Sequence, residues 1–227
     1  MKALISQREC IDSHGTHTDV LESDYVKYFE KIGVEVWAVS NFTTNVNHLF
    51  DLAEWDFLIL TGGGSVPREY YDFIALDEPQ QENRDHVEEL LVRQCLERKI
   101  PILAICRGMQ FLNGLFGGKI SRLDKLTVSR PVGSDHEVWC EAWHKYMIVN
   151  NFHNDGIKKN NLAKLFYILA EDQANQIVEG FYSDEWMVYG LQWHPERRFG
   201  TEKAKEESQL LIIDFIKKYV VKGLDKQ

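Results

Sequence analysis

The apolar run Pro101-Ile102-Leu103-Ala104-Ile105 ends on Cys106 and passes directly into Arg107-Gly108-Met109-Gln110. No turn residues separate strand chemistry from helix chemistry, so the chain must bend sharply from one into the other. An all-apolar strand of this kind is buried on both faces, which requires a parallel sheet with helices on each side. Pro101 opens the strand, where its missing N–H costs least.

The first half repeats this order. Ala3–Ser6 is expected as a strand, followed by a helix over Asp19–Ile32 with Gly33 as its stop, and a strand over Val34–Val39. A short helix over Asn47–Leu52 precedes a strand over Phe57–Leu60, which runs into Thr61-Gly62-Gly63-Gly64. Arg84–Lys99 carries an apolar helical face. The second half has shorter strands with less helix between them, at Leu126–Val132, Glu137–Trp143 and Tyr146–Asn150. Gln176–Phe181 and Met187–Trp193 flank Ser183-Asp184-Glu185 as a hairpin, and Glu206–Val221 closes the chain as a helix. The aromatic stretch Trp139–Tyr146 is expected in the strand core.

With 227 residues, 44 % of them apolar, and no repeat or linker-like stretch, residues 1–227 are expected to form a single α/β domain. Its sheet should be mostly parallel, with a smaller antiparallel region in the second half. No apolar run approaches the ~18–20 residues of a membrane span. The apolar start Ala3-Leu4-Ile5 is too short for a signal-peptide core, and the scattered Cys10, Cys95, Cys106 and Cys140 suggest no disulfide framework. A cytoplasmic location is expected. The net charge of −9 argues against nucleic-acid or anionic-membrane partners.

At the turn, Ala104 and Gly108 supply the small neighbours that a tight elbow demands, and Cys106 would stand at the carboxyl edge of the sheet. A helix N-terminus there favours the thiolate. The plainer alternative is a buried cysteine acting as a small hydrophobe. A nucleophile needs a base and the base an orienting group. In Gln192-Trp193-His194-Pro195-Glu196, Pro195 favours extended backbone, so His194 and Glu196 can share one face. The Gly62–Gly64 loop and the N–H of Arg107 are candidate donors to an oxyanion. No Gly-Lys-Ser/Thr follows the glycines, so they are not a phosphate loop. His14 and His17 lack clustered partners, and no metal is expected.

Taken in order, Thr61-Gly62-Gly63-Gly64, Ala104-Ile105-Cys106-Arg107-Gly108-Met109-Gln110 and Gln192-Trp193-His194-Pro195-Glu196 resemble the class I glutamine amidotransferase superfamily. Arg84-Asp85-x-x-Glu88, the Cys-Arg-Gly elbow and Asn151-Phe152-His153-Asn154-Asp155 are similar to its γ-glutamyl hydrolase branch, peptidase family C26. The resemblance implies a Cys106–His194–Glu196 triad, a γ-glutamyl thioester and no cofactor. It implies backbone oxyanion donors at Gly64 and Arg107, and glutamyl-binding positions at Gly63, Gln110, Phe152, His153 and Asn154. His153 is given no proton-transfer role. The chain departs from the branch at Ala104, usually glycine, at Asn154-Asp155, usually His-Gln, and at Thr16–Asp19, often Glu-Arg-Arg-Asp. It is also short for the branch, and a short member with a diphosphate leaving group fits these features. Arg8, Arg68, Arg107, Arg197 and Arg198 are the cations available to such a group.

Three functions compete at this point. The chain could be a hydrolase of a small γ-glutamyl amide. The same residues would serve a glutaminase subunit passing ammonia to a synthase partner, which is possible but not favoured. A non-catalytic relative of the same topology would keep the cysteine but generally lack His-Pro-Glu.

Overall fold

The structure, a computed structural model, describes residues 1–73, 79–123, 133–198 and 200–221. Its elements in chain order are β1 (Lys2–Ile5), β2 (Arg8–Ile11), β3 (His17–Val20), α1 (Ser23–Lys31), β4 (Glu35–Ala38), α2 (Val46–Leu52) and β5 (Phe57–Leu60). There follow α3 (Glu82–Arg98), β6 (Ile102–Ile105), α4 (Arg107–Leu115), β7 (Ser121–Arg122), β8 (Ser134–Cys140), β9 (Lys145–Asn151) and β10 (Asp155–Lys158). β11 (Tyr167–Asp172), β12 (Ile177–Ser183), β13 (Val188–Leu191) and α5 (Glu202–Phe215) complete them, with a wider helical turn over Ile216–Val221.

The main sheet runs β4-β1-β5-β6-β13-β12-β11-β8-β9. Pairing is parallel from β4 to β13 and antiparallel from there to β9. β10 lies off this path, between β12 and β7. The alternation of side chains along a strand sorts the apolar residues into two cores. Phe57, Ile59, Leu103 and Ile105 meet Phe29 of α1 and Leu211 and Phe215 of α5 on one face. Leu58, Leu60, Ile102 and Ala104 meet Leu91 and Cys95 of α3 and Met109 and Leu112 of α4 on the other. The expected helix-covered α/β sheet is what forms.

The differences have local causes. The helix expected from Asp19 starts at Ser23, because Asp19 and Val20 belong to a β2–β3 hairpin. The Asp19 carboxylate accepts hydrogen bonds from Ser40 Oγ at 2.6 Å and Asn41 Nδ2 at 2.7 Å, which fastens the hairpin to the turn after β4. The closing helix begins before Glu206, at Glu202, where Thr201 Oγ1 accepts from the Ala204 N–H. β10 and β11 arise where no strand was expected. Trp139 and Tyr146 do not enter the core: they pack edge to face at 5.2 Å, and Tyr146 is 55 % exposed. The strand expected over Leu126–Val132 lies outside the described residues. Among the described residues no helix is long and apolar enough to cross a membrane.

Candidate active site

β6 lies between β5 and β13, and its ladder continues one residue past the strand: the Cys106 N–H donates to the Leu191 carbonyl at 2.7 Å. There the backbone turns to φ 53°, ψ −107°, and α4 begins at Arg107. A non-glycine residue held at positive φ costs on the order of 1–3 kcal/mol and persists only where its surroundings enforce it. Here both sides enforce it, the β6–β13 ladder before the turn and helix packing after it. A Cβ on Gly108 would lie 2.5 Å from the Leu60 carbonyl oxygen, so α4 can approach β5 only with glycine there. Cys106 itself is 7 % exposed.

Gly62 is the second close approach. A Cβ there would stand 2.6 Å from Cε1 of His194 and 3.3 Å from both Nε2 of His194 and Cβ of Cys106. The missing side chain of Gly62 leaves the space in which imidazole and thiol meet. On one side the His194 ring adjoins Cys106 across Gly62, and on the other its Nδ1 lies 2.6 Å from Oε1 of Glu196. Burial works against the imidazolium. The charges and hydrogen bonds of Cys106 and Glu196 outweigh it and push the His194 pKa up to about 10.

His194 is fixed by a residue that the sequence did not single out. The Asn150 side chain, at the end of β9, accepts from the His194 N–H at 2.9 Å and donates to the His194 carbonyl at 2.7 Å. The Asn150 side chain is fully buried, and these two bonds satisfy it. Trp193, next in the chain, is buried with its Nε1–H on Ser208 Oγ at 2.9 Å.

The motif Arg84-Asp85-x-x-Glu88 proves to be internal scaffolding. Arg84, 0 % exposed, donates to the carbonyls of Thr61 and Gly63, each at 2.7 Å, and to Glu88 at 2.8 Å. With the Gly63 carbonyl held below, the Gly64 N–H on the same trans peptide points to the opposite side. Glu88 also pairs with Arg107, which reaches Asp85 and donates to the Ser65 carbonyl. Burial opposes the Glu88 charge, but Arg107 and Arg84 hold its carboxyl below the usual range. The Arg107 guanidinium is therefore spent inside the protein and is no cation for a leaving group. Its backbone N–H, first in α4, has no partner within the helix.

One cleft of about 240 Å³ is lined by Cys106, His194, Gly63, Gly64, Arg107 and Gln110, closed on the far side by Phe152, His153 and Asn154. Glu196 does not line it; it sits behind His194. Gln110 Nε2 donates to the Asp155 carbonyl at 2.9 Å and to Gln192 Oε1 at 3.1 Å. Phe152 sets its edge against the His194 ring and its face under Arg197, 4.4 Å away. His153 Nδ1 lies 2.9 Å from the Asp155 carbonyl, and burial foremost keeps its pKa low. Of the other arginines, Arg197 lines the cleft while paired with Glu22 at 3.1 Å. Arg68 and Arg198 do not line it. Arg8 lies against the outside of the glycine loop.

The pattern described as Peptidase C26 matches residues 1–196 of this chain. Over 196 residues the chain is 30 % identical to the γ-glutamyl-CDP-amidate hydrolase of Campylobacter jejuni, covering 84 % of this chain and 87 % of that protein. It is 32 % identical over 159 residues to a Schizosaccharomyces pombe protein named "putative glutamine amidotransferase". That match takes in 62 % of this chain and spans 62 % of the yeast protein's length. Among solved structures, a "putative GMP synthase" chain from Thermoplasma acidophilum superposes with a TM-score of 0.67 at 20 % identity. The superposition covers 100 % of this chain and 98 % of that one, a likeness of fold.

Proposed function

The chain belongs to the Peptidase C26 family of class I glutamine amidotransferase-like hydrolases, and from that premise we propose that it cleaves a γ-glutamyl amide through a thioester on Cys106. The observation that supports this most is the meeting, across Gly62, of a cysteine at φ 53° with a His194–Glu196 pair at 2.6 Å. The Cys106 sulfur attacks the γ-carbonyl carbon, and the oxyanion is received by the N–H groups of Gly64 and Arg107. The carbon–nitrogen bond breaks as His194 gives its proton to the departing amine. Water then attacks the thioester, His194 takes a proton from it, and L-glutamate leaves as the carbon–sulfur bond breaks. Glu196 holds the ring and favours its charged form. Gly63, Gln110, Phe152, His153 and Asn154 hold the glutamyl group. The whole chain acts as one such domain, with no cofactor.

For the substrate we propose γ-glutamyl-CDP-amidate, giving glutamate and cytidine diphosphoramidate, with a place in capsule polysaccharide biosynthesis. The extent of the match to the Campylobacter protein supports this. The name of the yeast relative favours a second reading, a glutaminase that hands ammonia to a synthase partner. Glutamate release from γ-glutamyl-CDP-amidate, γ-glutamyl-γ-aminobutyrate, a γ-glutamyl anilide and glutamine, with Cys106→Ala as control, tests both. Preference for the nucleotide compound is the expected result. Preference for the γ-aminobutyrate compound would replace the substrate, and activity on glutamine alone would favour the synthase partnership. Release that survives Cys106→Ala would overturn the mechanism.

A further inference from the structure

Beside the cleft, and sharing the wall at Gly64 with it, lies a larger cavity of about 530 Å³ between the β2–β3 hairpin and the start of α3. Arg8 and Glu9 both line it, and each carries a buried polar atom without a protein partner, Nε of Arg8 and Oε2 of Glu9. Among the described residues the Arg8 guanidinium makes no hydrogen bond or ion pair. It lies on the glycine loop, where a Cβ on Gly63 would stand 2.9 Å from Arg8 Cδ and 3.4 Å from Nη1. The Glu9 side chain is only 6 % exposed and firmly oriented. Its Oε1 accepts from Asn83 Nδ2 at 2.6 Å and lies 3.0 Å from His17 Nδ1. The Glu9 N–H donates to Gln81 Oε1 at 3.1 Å. An unpaired buried polar atom is costly, and two in one cavity, of opposite charge, call for a ligand that satisfies both.

We propose that this cavity is the leaving-group subsite, which rests on the hydrolase reading above. Arg8 takes an anionic group, phosphoryl or carboxylate, carried close to the scissile nitrogen. Glu9 Oε2 takes a hydrogen-bond donor, an amino group or a hydroxyl, farther along the same group. The volumes agree with this division. The cleft at Cys106, about 240 Å³, falls below the ~300 Å³ at which sites for larger small molecules begin, and the cavity lies within that range. The glutamyl group fills the one, and the amine it is joined to crosses Gly64 into the other.

The test is the ratio of kcat/KM on anionic to neutral leaving groups, for wild type, Arg8→Gln and Glu9→Gln. The probes are γ-glutamyl-CDP-amidate and γ-glutamyl-γ-aminobutyrate against a γ-glutamyl anilide. Arg8→Gln is expected to lower the ratio roughly tenfold or more, the scale of one lost charge-assisted hydrogen bond. The anionic compound that loses more identifies phosphoryl or carboxylate. Glu9→Gln should act on the nucleotide compound, whose leaving group carries donors, and spare the γ-aminobutyrate one. An unchanged ratio in Arg8→Gln, or a wild type that accepts no anionic leaving group, overturns the subsite and leaves the hydrolase reading standing. If wild type releases glutamate from none of the compounds, the hydrolase reading itself fails. Calorimetric titration of cytidine diphosphate and γ-aminobutyrate into wild type and Arg8→Gln then decides the subsite: binding by wild type weakened in the variant supports it, and no binding ends it.

Discussion

At Cys106 the backbone holds a conformation that glycine would adopt without strain. The sulfur is therefore kept there against a local preference, and the cost can be measured. Cys106→Gly should be more stable than Cys106→Ala by about 1 kcal/mol, read from urea unfolding, although neither should release glutamate. Equal stabilities would show that the turn carries no strain. His194 gives a second residue-scale prediction. Its pKa is raised from the ordinary 6.5 to about 10, so the imidazolium persists through neutral pH and is lost only near that value. The alkaline limb of kcat/KM should accordingly fall near 10. Glu196→Gln removes one of the two negative partners and should move that limb towards neutrality. A limb that stays in place in the variant would mean that Glu196 does not hold the charge of the ring.

At the scale of elements, the cleft is assembled by strands far apart in the sheet order. β9 closes the antiparallel edge, yet its last turn of chain brings Asn150 onto the backbone of His194 beyond β13. Asn150→Ala leaves a buried N–H and a buried carbonyl unpaired. Stability should fall by about 1–3 kcal/mol, and kcat by about 10²-fold with KM less affected, because the imidazole loses its position. A larger change in KM than in kcat would place Asn150 in binding instead. The Arg84–Glu88–Arg107 group joins the loop after β5 to the helix after β6. Glu88→Gln leaves two buried guanidinium groups facing a neutral amide. The expected loss is about 3–5 kcal/mol of unfolding free energy.

Across the whole molecule the two cores behave as one cooperative unit if the sheet between them opens only globally. Cys140 sits in one and Cys95 in the other, both 0 % exposed, and burial raises both thiol pKa values. Iodoacetamide should reach these two together at the unfolding midpoint, and Cys106 earlier, in the native state. Labelling of Cys95 or Cys140 first would contradict the proposal that Cys106, at the edge of the sheet, is the nucleophile. What could be read in advance follows the same division. Strands such as Phe57–Leu60 and Ile102–Ile105 are buried on both faces, so their composition alone declares them. The elbow was legible because tight geometry leaves few residue choices around Cys106. The β2–β3 hairpin was not, since Glu9 and Asp19 are held by polar partners distant in the chain and the hairpin shows no apolar period. Asn150 and Arg84 act through backbone groups distant in the chain, and such pairings leave no trace in local spacing.

Glu88 has a further consequence. It receives Arg84 with one oxygen and Arg107 with the other, and these two arginines carry the glycine loop and the elbow. The two N–H groups proposed to receive the oxyanion are thus gauged from a single datum, and the error in their separation does not accumulate through the sheet. The hairpin bearing Arg8 and Glu9 is fastened to the start of the same helix, at Gln81 and Asn83, and makes no contact with Glu88 through those bonds. If that side holds the amine as proposed, substitution at Arg8 or Glu9 re-cuts it for a new amine while the Glu88 pairings, and with them the aperture at the carbonyl, keep their tolerance.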